Sequence, residues 1–150
     1  MVKVEKILFP SELREYSLKI LPYVLSMSEK YNSTIYLLHV IEDISKWGGF
    51  YIPHIPLDMY QKEAMEAAEK FMDRVCKQHM KDCPNFERRV VSGDPAGEIL
   101  KAIDTEGIDL VIMGTHGYKG LEHAIFGSVA EKVIKKSPVP VLVINPYQLK

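Results

Sequence analysis

The chain has 150 residues, 47% of them hydrophobic and 26% charged, the make-up of one ordinary globular domain with a buried core. A formal net charge of −1 and a pI near 6.5 exclude a broad electrostatic pull on nucleic acid or anionic lipid, so any anion must be held by local geometry. No apolar run approaches the roughly 20 residues of a membrane span, and the start, MVKVEKILF, is charged and alternating where a signal peptide carries an apolar region; the expectation is a cytoplasmic protein with neither nucleic acid nor membrane as partner.

Apolar segments alternate with longer helical patterns. VEKILF (4–9) reads as the first strand. After it, Leu13, Ile20, Leu21, Val24, Leu25 and Tyr31 fall on one side of a helix of period 3.6. Pro22 interrupts that pattern, and an interior proline removes a hydrogen bond at a cost of about 3 kcal/mol, so the helix either kinks or has its regular part begin there. STIYLLHVI (33–41) is the second strand. An insertion follows, EDISKWGGFYIPHIP (42–56), with the only Trp, paired glycines and two prolines. Its composition suits an ordered flap, a partner-contact loop or a surface loop packed on its own aromatics.

The next helix, about Leu57 to Lys81, places Tyr60, Ala64, Ala68, Phe71, Val75 and His79 on one face. Cys76, His79 and Cys83 share a face at its end. Two thiols and one histidine leave a tetrahedral site one ligand short, so a structural or surface role is expected and no metal site. Two cysteines also form no disulfide framework. FERRVVSG (86–93) is the third strand. A helix opens at Asp94-Pro95, an N-cap and N1 pair, and runs through Ile99, Leu100 and Ile103 to Gly107. DLVIMGT (109–115) is the fourth strand, a helix begins near Ser128 and ends at Lys135-Lys136, and VPVLVIN (139–145) closes the series.

Several of the strands are nearly continuous apolar or β-branched runs, the mark of strands covered on both faces. Strict β-α alternation predicts an α/β fold: a single-domain, open, five-stranded parallel sheet with helices on both faces. Such sheets take ligands beyond the carboxyl ends of their strands, where strand order reverses. The candidate ends are Phe9-Pro10-Ser11-Glu12 and Met113-Gly114-Thr115-His116.

The second of these opens a glycine-rich segment, MGTHGYKGLEHAIFGSVAEK (113–132). Gly114, Gly117, Gly120 and Gly127 permit positive φ and close backbone approach to a ligand. Ser128 with Glu131 reads as an S-x-x-E capping box, and the N–H groups of the helix start form an anion site that would fit phosphate. The dipole contributes only about 0.3–1 kcal/mol, whereas a micromolar ligand needs about 8 kcal/mol. Convergent donors, the Ser128 hydroxyl, a divalent ion and a pocket must supply the rest. Lys119, His116 and His123 are further donors or solvated loop residues. There is no G-x-x-x-x-G-K-[ST], and the glycines have neither the spacing nor the place of a dinucleotide fingerprint.

Gly114-x2-Gly117-x9-Gly127-Ser128 resembles the G-2x-G-9x-G-[ST] motif of the ATP-binding branch of the universal stress proteins. The resemblance runs the length of the chain, through KILFP, YLLHV, SGDPAGEIL, DLVIMGTHG and SPVPVLVI. It implies an adenine nucleotide alpha hydrolase-like sheet of order 3-2-1-4-5. It also implies a dimeric stress-response regulatory module that binds ATP, with Mg²⁺ or Mn²⁺ through the phosphates. Gly114, Gly117, Gly127, Ser128 and Val129 would hold phosphates and ribose, with His116 in the same loop. Val40 and Met113 would line the adenine pocket, and the turn from Pro10 to Glu12 would meet the nucleoside. Val139 to Ile144 would pair across a two-fold axis, which also covers an apolar edge strand.

The first turn departs from the family's P-x-D-x-S: Glu12 stands for Asp and Arg14 for Ser. These changes touch the half of the site that selects among ATP, ADP and AMP. His39 ends a buried strand near the cleft and reads as a core histidine with a hydrogen-bond partner. Two other functions fit the same residues: a slow ATPase or adenylate-handling enzyme, for which no nucleophile and base pair is evident, and an interaction protein that has lost nucleotide. The signal and the protein partner are not written in the sequence.

Overall fold

A computed structural model describes residues 1–43, 57–83, 85–115 and 126–150. The elements run β1 (Lys6–Pro10), α1 (Glu15–Leu18), α2 (Leu21–Tyr31), β2 (Thr34–Glu42), α3 (Leu57–His79), β3 (Phe86–Gly93), α4 (Pro95–Glu106), β4 (Leu110–Gly114), α5 (Ser128–Lys136) and β5 (Val141–Ile144). The strands form one five-stranded sheet of order β3-β2-β1-β4-β5, and every pairing is parallel. This is the expected architecture, including the reversal of strand order between β1 and β4. Most of the 42–56 insertion, from residue 44 onward, lies outside the described residues.

Side chains of a strand alternate between faces, and here each face has its own core. Ile7, Phe9, Ile35, Leu37 and Ile112 meet Ile20, Leu21 and Val24 around α2, Met72 and Cys76 of α3, and Met80 just after it. Leu8, Tyr36, Leu38, Val111 and Met113 meet Ala96, Ile99 and Ile103 of α4 and Ala130 and Val133 of α5. Ile7, Leu8, Ile35, Val111 and Ile112 are wholly shielded from solvent, and each such side chain contributes roughly 1.5–3 kcal/mol relative to exposure. At the opposite end from the candidate site, the Asp109 carboxylate accepts the Glu5 and Lys6 N–H groups at 2.9 and 3.0 Å, which pins the start of β4 to β1.

Pro22 marks a new beginning and not a kink. α1 stops at Leu18, and α2 starts at Leu21 with the proline in its first turn, where its missing N–H has no helical acceptor to lose. Asn32 then ends α2 in the left-handed conformation, φ 54° and ψ 44°, which Asn tolerates. Two expected core faces need correction at their ends. Tyr31 is exposed, as are Tyr60 and His79. The buried line of α3 is instead Met72, Val75, Cys76 and Met80 beyond its last turn. Cys76 thus belongs to the core, while Cys83 is only partly buried. Among the described residues, no helix is long and apolar enough to cross a membrane.

Candidate functional site

A cavity of about 280 Å³ opens at the carboxyl ends of β1, β2 and β4 and is closed on one side by the start of α5. It lies at the point of strand-order reversal and just under the usual 300–1,000 Å³ range of small-molecule sites. Pro10 and Glu12 line it from the first turn, Val40 from β2, and Met113 and Gly114 from the end of β4. Gly127, Ser128 and Val129 line it from the helix mouth. His116 and Gly117 lie outside the described residues, as do Lys119, Gly120, Glu122 and His123. The chain therefore brings together every described residue of the expected site.

The first turn is built from side chains. The Ser11 hydroxyl donates to Ser17 Oγ at 3.1 Å and accepts the Leu13 N–H at 3.0 Å. Ser17 Oγ accepts the Arg14 N–H at 3.0 Å and donates to the Arg14 carbonyl at 2.7 Å. These bonds hold Leu13 at φ 58°, a left-handed conformation that costs an ordinary L-residue roughly 1–2 kcal/mol. Burial of the Leu13 side chain in the α2 core offsets that strain. The outcome is a tight turn that carries Glu12 to the edge of the cavity.

Glu12 is the polar centre of this wall. The Tyr16 hydroxyl, four residues on, donates to Glu12 Oε2. Burial pushes the Glu12 carboxyl above the usual carboxylate range and Glu42 adds to the rise, against the Tyr16 hydrogen bond and the charges of Arg14 and His39. Burial and the bond to Glu12 in turn raise the Tyr16 phenol well above its ordinary value. His39 Nδ1 lies 2.8 Å from the Ser11 carbonyl. A carbonyl only accepts, so Nδ1 carries the proton. This is the expected partnered histidine, yet it also lines the cavity.

The facing wall is built from backbone. Gly127 is the N-cap of α5, with φ −69° and ψ 163°, and no side chain caps the helix. Its N–H donates to the Thr115 carbonyl at 2.7 Å and its carbonyl accepts the Glu131 N–H at 3.0 Å. The N–H groups of Ser128, Val129 and Ala130 are then the helix-start donors without an intrahelical acceptor, and these residues line the cavity. The capping-box expectation is corrected: Ser128 is the first helical residue, one place too late to cap, and Glu131 pairs with Lys135 at 2.6 Å on the exposed face. Nor does Gly127 need a glycine's φ.

Sequence reasoning passed over Tyr16, Ser17, Glu42, Pro95 and Ile99, which also line the cavity. Tyr16 had one available signal, its i+4 spacing from Glu12. The others are brought in by packing. Among the described residues, no group of three His, Cys, Asp or Glu side chains is placed to hold a metal ion.

Fold and cavity together are those of an open α/β protein with a ligand cleft at its switch point. The chain belongs to the universal stress protein family, whose profile matches residues 3–145. Universal stress protein MJ0577 of Methanocaldococcus jannaschii is 30% identical over 96% of this chain and 96% of its own. A second protein of that organism, universal stress protein MJ0531, is 29% identical over 94% of this chain and 82% of its own. A solved structure of MJ0577 covers 96% of this chain and 97% of that one with a TM-score of 0.80 at 30% identity. More distant members share the fold, among them a universal stress protein from Archaeoglobus fulgidus solved in complex with dAMP. It is similar at a TM-score of 0.58 and 17% identity, covering 97% of this chain and 100% of that one.

Proposed function

We propose that this protein binds ATP in the cavity at the carboxyl ends of β1 and β4 and acts as a single-domain regulatory module of the stress response in the cytoplasm. The observation that carries the reading is the start of α5, where the N–H groups of Ser128, Val129 and Ala130 stand without helical acceptors beside the cavity of about 280 Å³. Helix mouths of this kind favour phosphate. In this reading Gly114, Gly117 and Gly127 with Ser128 and Val129 surround the phosphates, with His116 in the same loop. Val40 and Met113 flank the adenine, and Pro10 and Glu12 meet the nucleoside. Glu12 accepts from ribose hydroxyls. The complex of a fold relative with dAMP supports an adenine nucleotide as the ligand class.

A Mg²⁺ or Mn²⁺ ion would be held through the phosphates, where it neutralises charge, in keeping with a cavity wall made of backbone donors. Two copies pair through β5 and the two residues before it, from Val139 to Ile144. That strand is bonded to β4 on one side, and Leu142 is 39% exposed, an apolar edge of the kind a second copy covers. The protein partner that reads the occupied state is left to experiment.

The test is direct. Nucleotide released on denaturing the purified protein is identified, and thermal stability is measured with ATP, ADP and AMP, each with and without Mg²⁺. ATP at a hundred times its dissociation constant stabilises the folded state by about 2.7 kcal/mol. Absence of both co-purified nucleotide and any shift would leave the interaction-protein reading in its place. Turnover abolished by Gly127→Val would make the protein an enzyme.

A further inference from the structure

We propose that Tyr16 is a positioning residue for the nucleoside end of the cavity: its phenol orients the Glu12 carboxylate, and Tyr147, from the segment after β5, holds the Tyr16 ring. The inference rests on the nucleotide reading above and assigns work to two residues that the glycine-rich motif leaves out.

Three observations meet here. The Tyr16 hydroxyl donates to Glu12 Oε2. The Tyr16 and Tyr147 rings lie 5.8 Å apart between centroids at an interplanar angle of 34°, within the range in which aromatic pairs attract. The chain after β5 is folded back to make that contact, because Asn145 Oδ1 accepts the Tyr147 N–H at 3.0 Å and the Asn145 carbonyl accepts the Gln148 N–H at 3.3 Å.

The need for such a brace follows from Glu12 itself. A glutamate has one more rotatable bond than an aspartate, and an unbraced carboxylate would lose that freedom on accepting a ligand hydroxyl. The phenol takes one oxygen, and among the described residues no side chain bonds the other. The groups facing this carboxylate are Tyr16 of α1, Arg14 of the turn, and His39 and Glu42 of β2, with Tyr147 behind Tyr16. Tyr16 supplies the donor that stabilises the anion. Its removal both frees the carboxylate and makes it easier to protonate, and a protonated Glu12 accepts poorly from a ribose hydroxyl.

The experiment is calorimetric titration of ATP and 2′-deoxy-ATP into the unsubstituted protein and the Tyr16→Phe, Tyr147→Ala and Glu12→Gln variants, from acid to neutral pH. Carbon NMR of the Glu12 carboxyl in the unliganded protein runs in parallel. Tyr16→Phe is expected to weaken ATP by about tenfold, the scale of one hydrogen bond to a charged group, and to move the acid limb of binding and the Glu12 titration to higher pH. Tyr147→Ala should move both the same way by less. Glu12→Gln should remove the acid limb and the preference for ATP over the deoxy ligand. If the unsubstituted protein bound ATP and Tyr16→Phe left affinity, acid limb and Glu12 titration in place, the positioning role would be overturned alone. If it bound no adenine nucleotide, the reading of the site would fall and the inference with it, whereas the NMR titration would still report whether Tyr16 braces Glu12.

Discussion

The two walls of the cavity are made of different material. At the first turn, a hydroxyl network through Ser11 and Ser17 and a phenol on Glu12 fix the geometry. At the mouth of α5, an extended Gly127 and uncapped backbone donors do so. Backbone donors present the same chemistry whatever side chains the helix carries. A side-chain wall can be rewritten residue by residue, and Glu12 and Arg14 are where this chain departs from the P-x-D-x-S pattern. Under the proposed function, the contrast would separate general anion binding from selection of the nucleoside.

The largest expected effect is on the backbone wall. Gly127→Val keeps a φ and ψ that valine adopts readily, so the fold should survive, but it adds a branched side chain to a residue that lines the cavity at the helix mouth. ATP affinity measured by calorimetry should fall about a hundredfold, or nearly 3 kcal/mol, with little change in thermal unfolding without ligand.

A smaller effect distinguishes two helix starts. Asp94 caps α4 by accepting the Gly97 N–H at 2.9 Å, so Asp94→Ala should lower stability to denaturant by about 1 kcal/mol. Ser128→Ala should leave it within about 0.5 kcal/mol, because α5 has no side-chain cap. Equal losses would restore the capping box that the S-x-x-E pattern suggests.

Glu12→Gln should act in opposite directions on the two properties, with less effect on stability than the loss of a cap. Burial raises the folded-state pKa of Glu12, so its favourable contribution is present below the unfolded value and is lost as pH rises through the raised one. The glutamine variant does not titrate. Its unliganded form should therefore gain stability over the parent as pH rises through that window, while it binds ATP less well. Chemical denaturation over a pH series checks the sign. Glu131→Gln should be the mildest change: the pair with Lys135 is exposed and screened, and no measurable loss of stability to denaturant is expected.

Much of this molecule was legible in its sequence, for reasons that also explain the rest. Runs such as KILF and DLVIM are apolar on both faces, and only a central parallel strand satisfies them, so the sheet and the position of its cleft followed. Pro22 left open a kink or a fresh start, and the helix-start position tolerates the missing N–H at no cost. S-x-x-E misplaced the α5 cap by one residue because the pattern carries no backbone angles; Gly127 takes the extended conformation and Ser128 falls inside the helix. Tyr31, Tyr60 and His79 match the helical period but stay exposed, because the period marks a face of a helix and not how much of its length is covered. Tyr16 escaped notice because a hydroxyl's choice of partner is set by the turn, and the turn depends on Leu13 adopting a conformation no sequence rule assigns to leucine.

Phe9 and Ile20 belong to the core on one face of the sheet, and Leu38, Ile99, Met113 and Ala130 to the core on the other, yet all of them border the cavity. The cleft is therefore the seam where two otherwise separate interiors come to the surface. It has no foundation of its own. Repacking either interior reshapes a wall of the cleft, and a ligand in the seam touches both layers at once, so tolerance to substitution deep in this chain will be read more sensitively by ligand affinity than by melting temperature.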